Sequence, residues 1–118
     1  MSTLIQDLEQ FKGTEQWYRF NPLMKNVLAT EGAMYLAKNA KAYWLLDIVA
    51  SLKLVPKCAE EAFIVCKLEK KPNDSATFKA EDGNNNVLYV QEIPYTDFPL
   101  NEIKLFFTGD VVMLPSEY

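Results

Sequence analysis

The run Phe63-Ile64-Val65-Cys66-Lys67-Leu68-Glu69 decides the fold, because there the hydrophobic period drops to two. Ile64, Cys66 and Leu68 fall on one side and Val65, Lys67 and Glu69 on the other, the pattern of a strand with one face in a core. Lys71-Pro72-Asn73-Asp74 reads as a turn, and Ser75-Ala76-Thr77-Phe78-Lys79-Ala80 alternates again with Ala76, Phe78 and Ala80 inward. Asp82-Gly83-Asn84-Asn85-Asn86 is a second turn, since Gly and Asn tolerate positive φ. Val87-Leu88-Tyr89-Val90-Gln91-Glu92-Ile93 follows as a third strand. Strands joined by short loops pair antiparallel, so this region is expected to form a three-strand meander. Ile64, Cys66, Leu68, Phe78, Leu88 and Val90 are expected to face the helices, although Val87, Tyr89 and Ile93 make a competing face.

Upstream of Glu60 the period is 3.6. Residues 26–54 read as two helices joined at Asn39-Ala40-Lys41. The first starts at Thr30, and this stretch buries Val27, Met34, Leu36 and Ala37. The second, Ala42 to Leu52, is apolar around most of its circumference, so it is expected to be the central core helix. Only Tyr43, Asp47 and Ser51, at i, i+4 and i+8, line up as a polar stripe. Pro56 closes it. Nearer the start, Thr3 to Phe11 has the spacing of a short amphipathic helix ended by Gly13. Thr14 to Phe20 reads as a second short helix, limited to about two turns by Pro22. Past the meander, Pro99 suits a first helical position for a short helix to Phe106, ended by Gly109. Val111 to Leu114 is a fourth strand that stops at Pro115. Helices first and strands after predict an α+β fold: N-terminal helices on one face of an antiparallel sheet, a three-strand meander plus a short C-terminal strand.

The chain has 118 residues, 49% of them hydrophobic and 24% charged, which is the size and mix of one domain spanning residues 1–118. It contains no histidine. That excludes Ser-His-Asp and Cys-His nucleophile systems, imidazole acid–base chemistry and zinc sites built on imidazole. The net charge of −4 is unevenly spread: residues 1–59 carry seven basic and five acidic side chains, residues 60–118 five basic and eleven acidic. Arg19 is the sole arginine, and in an acidic chain this argues against a nucleic-acid partner. Cys58 and Cys66 are too few for a thiolate metal site, and their spacing is not that of a redox pair. No signal segment or membrane span is legible, so the expected address is the cytoplasm with both thiols reduced. No nucleotide-binding or hydrolase motif occurs, and the reading calls for no cofactor, no metal and no catalytic residue.

Four motifs carry a resemblance that covers residues 11–118. They are Gly13-Thr14-Glu15-Gln16-Trp17-Tyr18, Ala42-Tyr43-Trp44-Leu45-Leu46-Asp47-Ile48, Val87 to Leu100 with its Ile-Pro-Tyr-Thr-Asp-Phe-Pro-Leu ending, and Leu114-Pro115-Ser116-Glu117-Tyr118. In these the chain resembles a family of small bacterial proteins known only as a domain of unknown function. The resemblance implies a compact cytosolic domain and assigns no activity and no site.

Two candidate binding stretches stand out among the residues themselves. Tyr43, Asp47 and Ser51 would form an acid–base or ligand-binding stripe if they lined a pocket; otherwise Asp47 is the solvated edge of its helix or accepts hydrogen bonds from Trp17, Tyr18 or Arg19. Tyr95, Asp97 and Phe98 would form an aromatic-acidic recognition loop; otherwise Asp97 caps the helix expected after Pro99. The aromatics Trp17, Tyr18, Phe20, Tyr43 and Trp44 are expected to fill core, with any exposed subset marking a protein-binding patch. Together these observations favour a non-enzymatic protein-interaction module that acts through its acidic C-terminal half. The alternative is a small-molecule binder or enzyme with a pocket around Asp47 and Tyr43.

Overall fold

The structure is a computed structural model that describes Leu4, Leu8, Gln10, Phe11 and residues 17–21 and 26–118. Its strands are β1 (Trp17–Arg19), β2 (Leu28–Thr30), β3 (Phe63–Lys70), β4 (Ala76–Glu81), β5 (Val87–Ile93), β6 (Glu102–Thr108) and β7 (Val111–Met113). The helices among the described residues are short: α1 (Glu31–Asn39), α2 (Tyr43–Ser51) and the single turn α3 (Pro56–Ala59). All seven strands join one mixed sheet in the order β1-β2-β7-β6-β3-β4-β5. Every neighbouring pair is antiparallel except β2 and β7, which run parallel.

The meander exists: β3 pairs with β4 and β4 with β5, through the two expected turns. Asp74 (φ 63°) and Asn85 (φ 67°) supply the left-handed residues of those turns. The helical region also holds. Thr30 caps α1 by accepting a hydrogen bond from the Ala33 amide at 3.2 Å, satisfying one of the helix's orphan donors. Residues 40–42 separate α1 from α2, and Leu45, Leu46, Val49 and Ala50 of α2 are buried.

The α+β arrangement, helices on a three-strand meander, is corrected by three strands it lacked, β1, β2 and β6, while the expected C-terminal strand is β7. The stretch expected as a helix from Pro99 to Phe106 is instead β6, wedged between β3 and β7. Its sequence Glu-Ile-Lys-Leu-Phe-Phe-Thr alternates, so Ile103, Leu105 and Phe107 follow Leu68, Cys66 and Ile64 in register. Gly109 (φ 57°) and Asp110 (φ 62°) do not end a helix. They form the two-residue turn with positive φ at both positions that suits a twisted hairpin, here β6–β7. Trp17-Tyr18-Arg19, placed in a helix by the sequence reading, is an edge strand, and Leu28-Ala29-Thr30 is a strand leading directly into α1. Parallel pairing of β2 with β7 joins residues more than eighty positions apart, which no local pattern encodes. The expected Thr3–Phe11 helix, and Thr14–Gln16 of the next, lie largely or wholly outside the described residues.

Cross-strand partners share a face, so the register assigns the two sides of the sheet. The covered side carries Ile64, Cys66, Leu68, Phe78, Ala80, Leu105, Phe107 and Val112, all buried in one core with Leu36, Leu45, Leu46 and Val49. Leu88 packs against this core as expected, but Val90 does not: it lies opposite Lys79 and is 47% exposed. A register shift between Ala80 and Glu81 decides this, and it turns Tyr89 and Ile93 toward the core.

Candidate functional site

Tyr43, Asp47 and Ser51 do line one outward edge of α2. Tyr43 and Asp47 are exposed, and Asp47 Oδ1 accepts from Asn21 Nδ2 at 3.2 Å. The Ser51 hydroxyl donates to the Ile48 carbonyl at 2.6 Å, inside its own helix. The second stretch is divided. Tyr95 and Asp97 are exposed, whereas Phe98 is fully buried, its amide donating to the Thr96 hydroxyl at 3.1 Å. With β6 in place of a helix, Asp97 has no helix amides to cap. The two stretches nonetheless come close, because the ring of Trp44, next to Tyr43, meets that of Phe98 edge-on at 6.4 Å. Trp44 itself is half-buried. Trp17, Tyr18 and Tyr43 are exposed, so they are not the core fillers the composition suggested.

Sequence reasoning missed a buried carboxylate. Glu117 follows β7 in a short 3-10 turn and reaches the first turn of α1. Its Oε1 accepts from the Thr30 hydroxyl at 2.5 Å and the Leu114 amide at 3.0 Å, and its Oε2 accepts from the Gly32 amide at 3.0 Å. A negative group at the positive end of a helix, with its lone pairs filled by donors, offsets the cost of its burial. Gly32 is required there. A Cβ at that position would lie 2.5 Å from the Glu117 carboxylate and 2.6 Å from Leu114. The only sequence signal was an acidic residue behind Leu114-Pro115, four residues after a strand.

That turn walls a solvent-open groove of about 630 Å³, lined by Leu8, Leu68, Leu100, Ile103 and Leu114 together with Lys67, Glu69, Glu102 and Lys104. A second cavity, about 410 Å³, opens between α3 and the β6–β7 hairpin and is lined in part by Cys58, Lys53 and Asp110. Tyr43 and Asp47 line neither.

The other side of the sheet has a different composition. Phe63, Val65, Phe106 and Met113 stand outside the core and are half-buried. The rings of Phe63 and Phe106 lie 4.9 Å apart, and Tyr118 packs on both at 5.1 and 5.6 Å while remaining 74% exposed. Beside this trio, Lys79, Lys67 and Lys104 stand in a row across β4, β3 and β6, and Thr77, Glu69 and Glu102 form the next row. Lys67 pairs with the buried Glu81 at 3.0 Å.

The electrostatics are those of a structural protein surface. Hydrogen bonds from Asn86, first its side chain and then its amide, with the Asn84 amide, hold the Asp82 carboxyl below its ordinary range. Lys71 does the same for Glu92, bonding it at 3.0 Å with help from Thr77. Both thiols move the other way. Burial raises Cys58, aided by Glu61, and burial raises Cys66 further. Neither is therefore a ready thiolate nucleophile at neutral pH. Among the described residues no cluster of three or more Cys, Asp or Glu side chains is placed to hold a metal, and no helix is long and apolar enough to cross a membrane.

Fold and surfaces together define a mixed-sheet protein with short helices and a carboxylate-anchored C-terminal turn on one side and a charged, aromatic face on the other. The chain belongs to the family of unknown function DUF6876, whose model matches residues 2–118. No curated protein and no solved structure matches it.

Proposed function

We propose that this protein is a non-enzymatic interaction module that binds a protein partner through its acidic C-terminal half. The observation that carries the reading is the Phe63–Phe106–Tyr118 stack on the side of the sheet that lies outside the core. Aromatic rings held half in water, ringed by charge, have the composition of interface centres. All of that face in β3 to β7 comes from residues 63–118, within the half that carries eleven acidic and five basic side chains. The partner would offer apolar contacts to the ring stack and basic groups to Glu69 and Glu102, the row beyond the lysines.

The test is quantitative affinity capture with the full chain, its F106K variant and a Y43A control. The capture of one defined protein should fall by about tenfold or more with F106K, stay unchanged with Y43A, and weaken with salt. Equal capture by wild type and F106K, with both folded by circular dichroism, would remove this face from consideration.

A further inference from the structure

We propose that the partner docking on the uncovered face of the sheet is a second copy of this chain, packed face to face across a two-fold axis. The inference rests on the reading that this face is an interface, and it names the occupant. The register sets Lys79 opposite Lys67 and Lys67 opposite Lys104, so three lysines form one row across β4, β3 and β6. Two residues along the same strands stand Thr77, Glu69 and Glu102, and Glu92 of β5 lies opposite Thr77. Like charges directly opposite one another destabilise a sheet, and both rows contain them. Within the chain they are only partly compensated. Lys67 pairs with Glu81 and Glu92 with Lys71, each at 3.0 Å. Lys79, Lys104, Glu69 and Glu102 make no ion pair or hydrogen bond among the described residues, and all but the half-buried Lys79 are exposed.

Two parallel rows of opposite sign are complementary to themselves. A two-fold axis lying across the strands, between the rows, sets the lysine row of each copy over the carboxylate row of the other. Every contact then occurs twice, which is the condition for an isologous interface. An axis running along the strands would set lysine over lysine instead, so charge selects one orientation and rejects the other. A single exposed ion pair contributes little, but the rows form several at once around the axis. Phe106 lies two residues from Lys104 and Phe63 four from Lys67, on the side away from the carboxylates. The two ring stacks, one from each copy, therefore flank the paired rows at opposite ends, where their burial adds apolar area to the contact.

Sedimentation velocity of the full chain over a concentration series at low salt tests this directly. A concentration-dependent dimer is expected, and it should weaken as added salt screens the rows. K79E/K104E reverses one row and E69K/E102K the other. Each sets like charge against like and should weaken the dimer by about tenfold or more. Mixed in equal amounts, the two variants should form a heterodimer of near wild-type affinity, because each reversed row meets its complement. K38E/K57E makes the same change of net charge on exposed lysines of α1 and α3 and should dimerise as the wild type does. Either row variant decides the matter alone if circular dichroism shows that the other fails to fold. A chain that stays monomeric throughout would overturn the proposal, as would a dimer that the folded row variants leave intact, or a mixture that does not associate. The interface reading fails on a different result, equal capture by wild type and F106K. A monomeric wild type whose capture of an unlike protein still falls with F106K would remove the second copy and keep the face.

Discussion

The two faces of one sheet are made from the same strands, yet they are built on different rules. On the covered face β3, β4, β6 and β7 contribute apolar groups buried to 5% exposure or less, from Ile64 and Phe78 to Leu105, Phe107 and Val112. One residue further along the same strands, Val65, Lys79 and Phe106 are only partly buried and sit among lysines and glutamates. Burial on one side supplies the stability, which frees the other side to carry rings and charges that a core would exclude. The difference puts the core on one surface of the sheet and the proposed interaction face on the other.

The sharpest way to break this comparison is to truncate one aromatic on each face. F78A should lower unfolding free energy by about 3 to 5 kcal/mol, as a fully buried ring deletion does. F106A, with its ring half in water, should cost about 1 kcal/mol or less. Equal losses in urea denaturation would mean that the second face is also core.

Next in size is the anchor that joins the C-terminal turn to the covered side. E117A leaves the Thr30 hydroxyl and the Gly32 and Leu114 amides without their acceptor and should cost about 1 to 3 kcal/mol. G32A pushes a methyl against the same carboxylate and should cost about 1 kcal/mol or more. Because the clash in G32A is largely with Glu117, the double variant should lose less than the sum of the two single losses. A strictly additive result in thermal melts would separate the glycine from the carboxylate.

The smallest effect belongs to the exposed carboxylates. Asp82 and Glu92 are both held below their ordinary range in the folded chain. Their contribution is therefore fully present above the unfolded carboxylate values and is lost as pH falls through the lower folded ones. E92Q should flatten the acid limb of the stability–pH profile measured in urea. An unchanged profile would show that the Lys71 contact does not persist in solution.

Local pattern was sufficient wherever one element answers to its own period. The 3.6 period and the Thr30 cap gave α1 and α2 nearly to the residue, and alternation gave β3, β4 and β5 with both turns. β6 was equally legible in its alternation. Pro99 and Gly109 mimic helix boundary signals there and mask the strand that carries Ile103, Leu105 and Phe107. β1 and β2 are not legible, because three residues display no period and, unlike β7, neither is a run of β-branched residues between Gly109 and Pro115. Of the candidate stretches, Tyr43, expected among the core aromatics, is exposed beside Asp47, while Phe98 is core.

By itself, then, the sequence determined which segments alternate, where they turn and which chemistries the absence of histidine removes. Only the tertiary structure decided that β6 enters between β3 and β7, that β2 runs parallel to β7, and that Glu117 belongs to a helix eighty-five residues upstream of it. The physical reason is range. Period, capping and turn propensity act within a few residues, whereas strand order, the face a bulge turns outward and the partner of a buried carboxylate are settled by packing between distant segments.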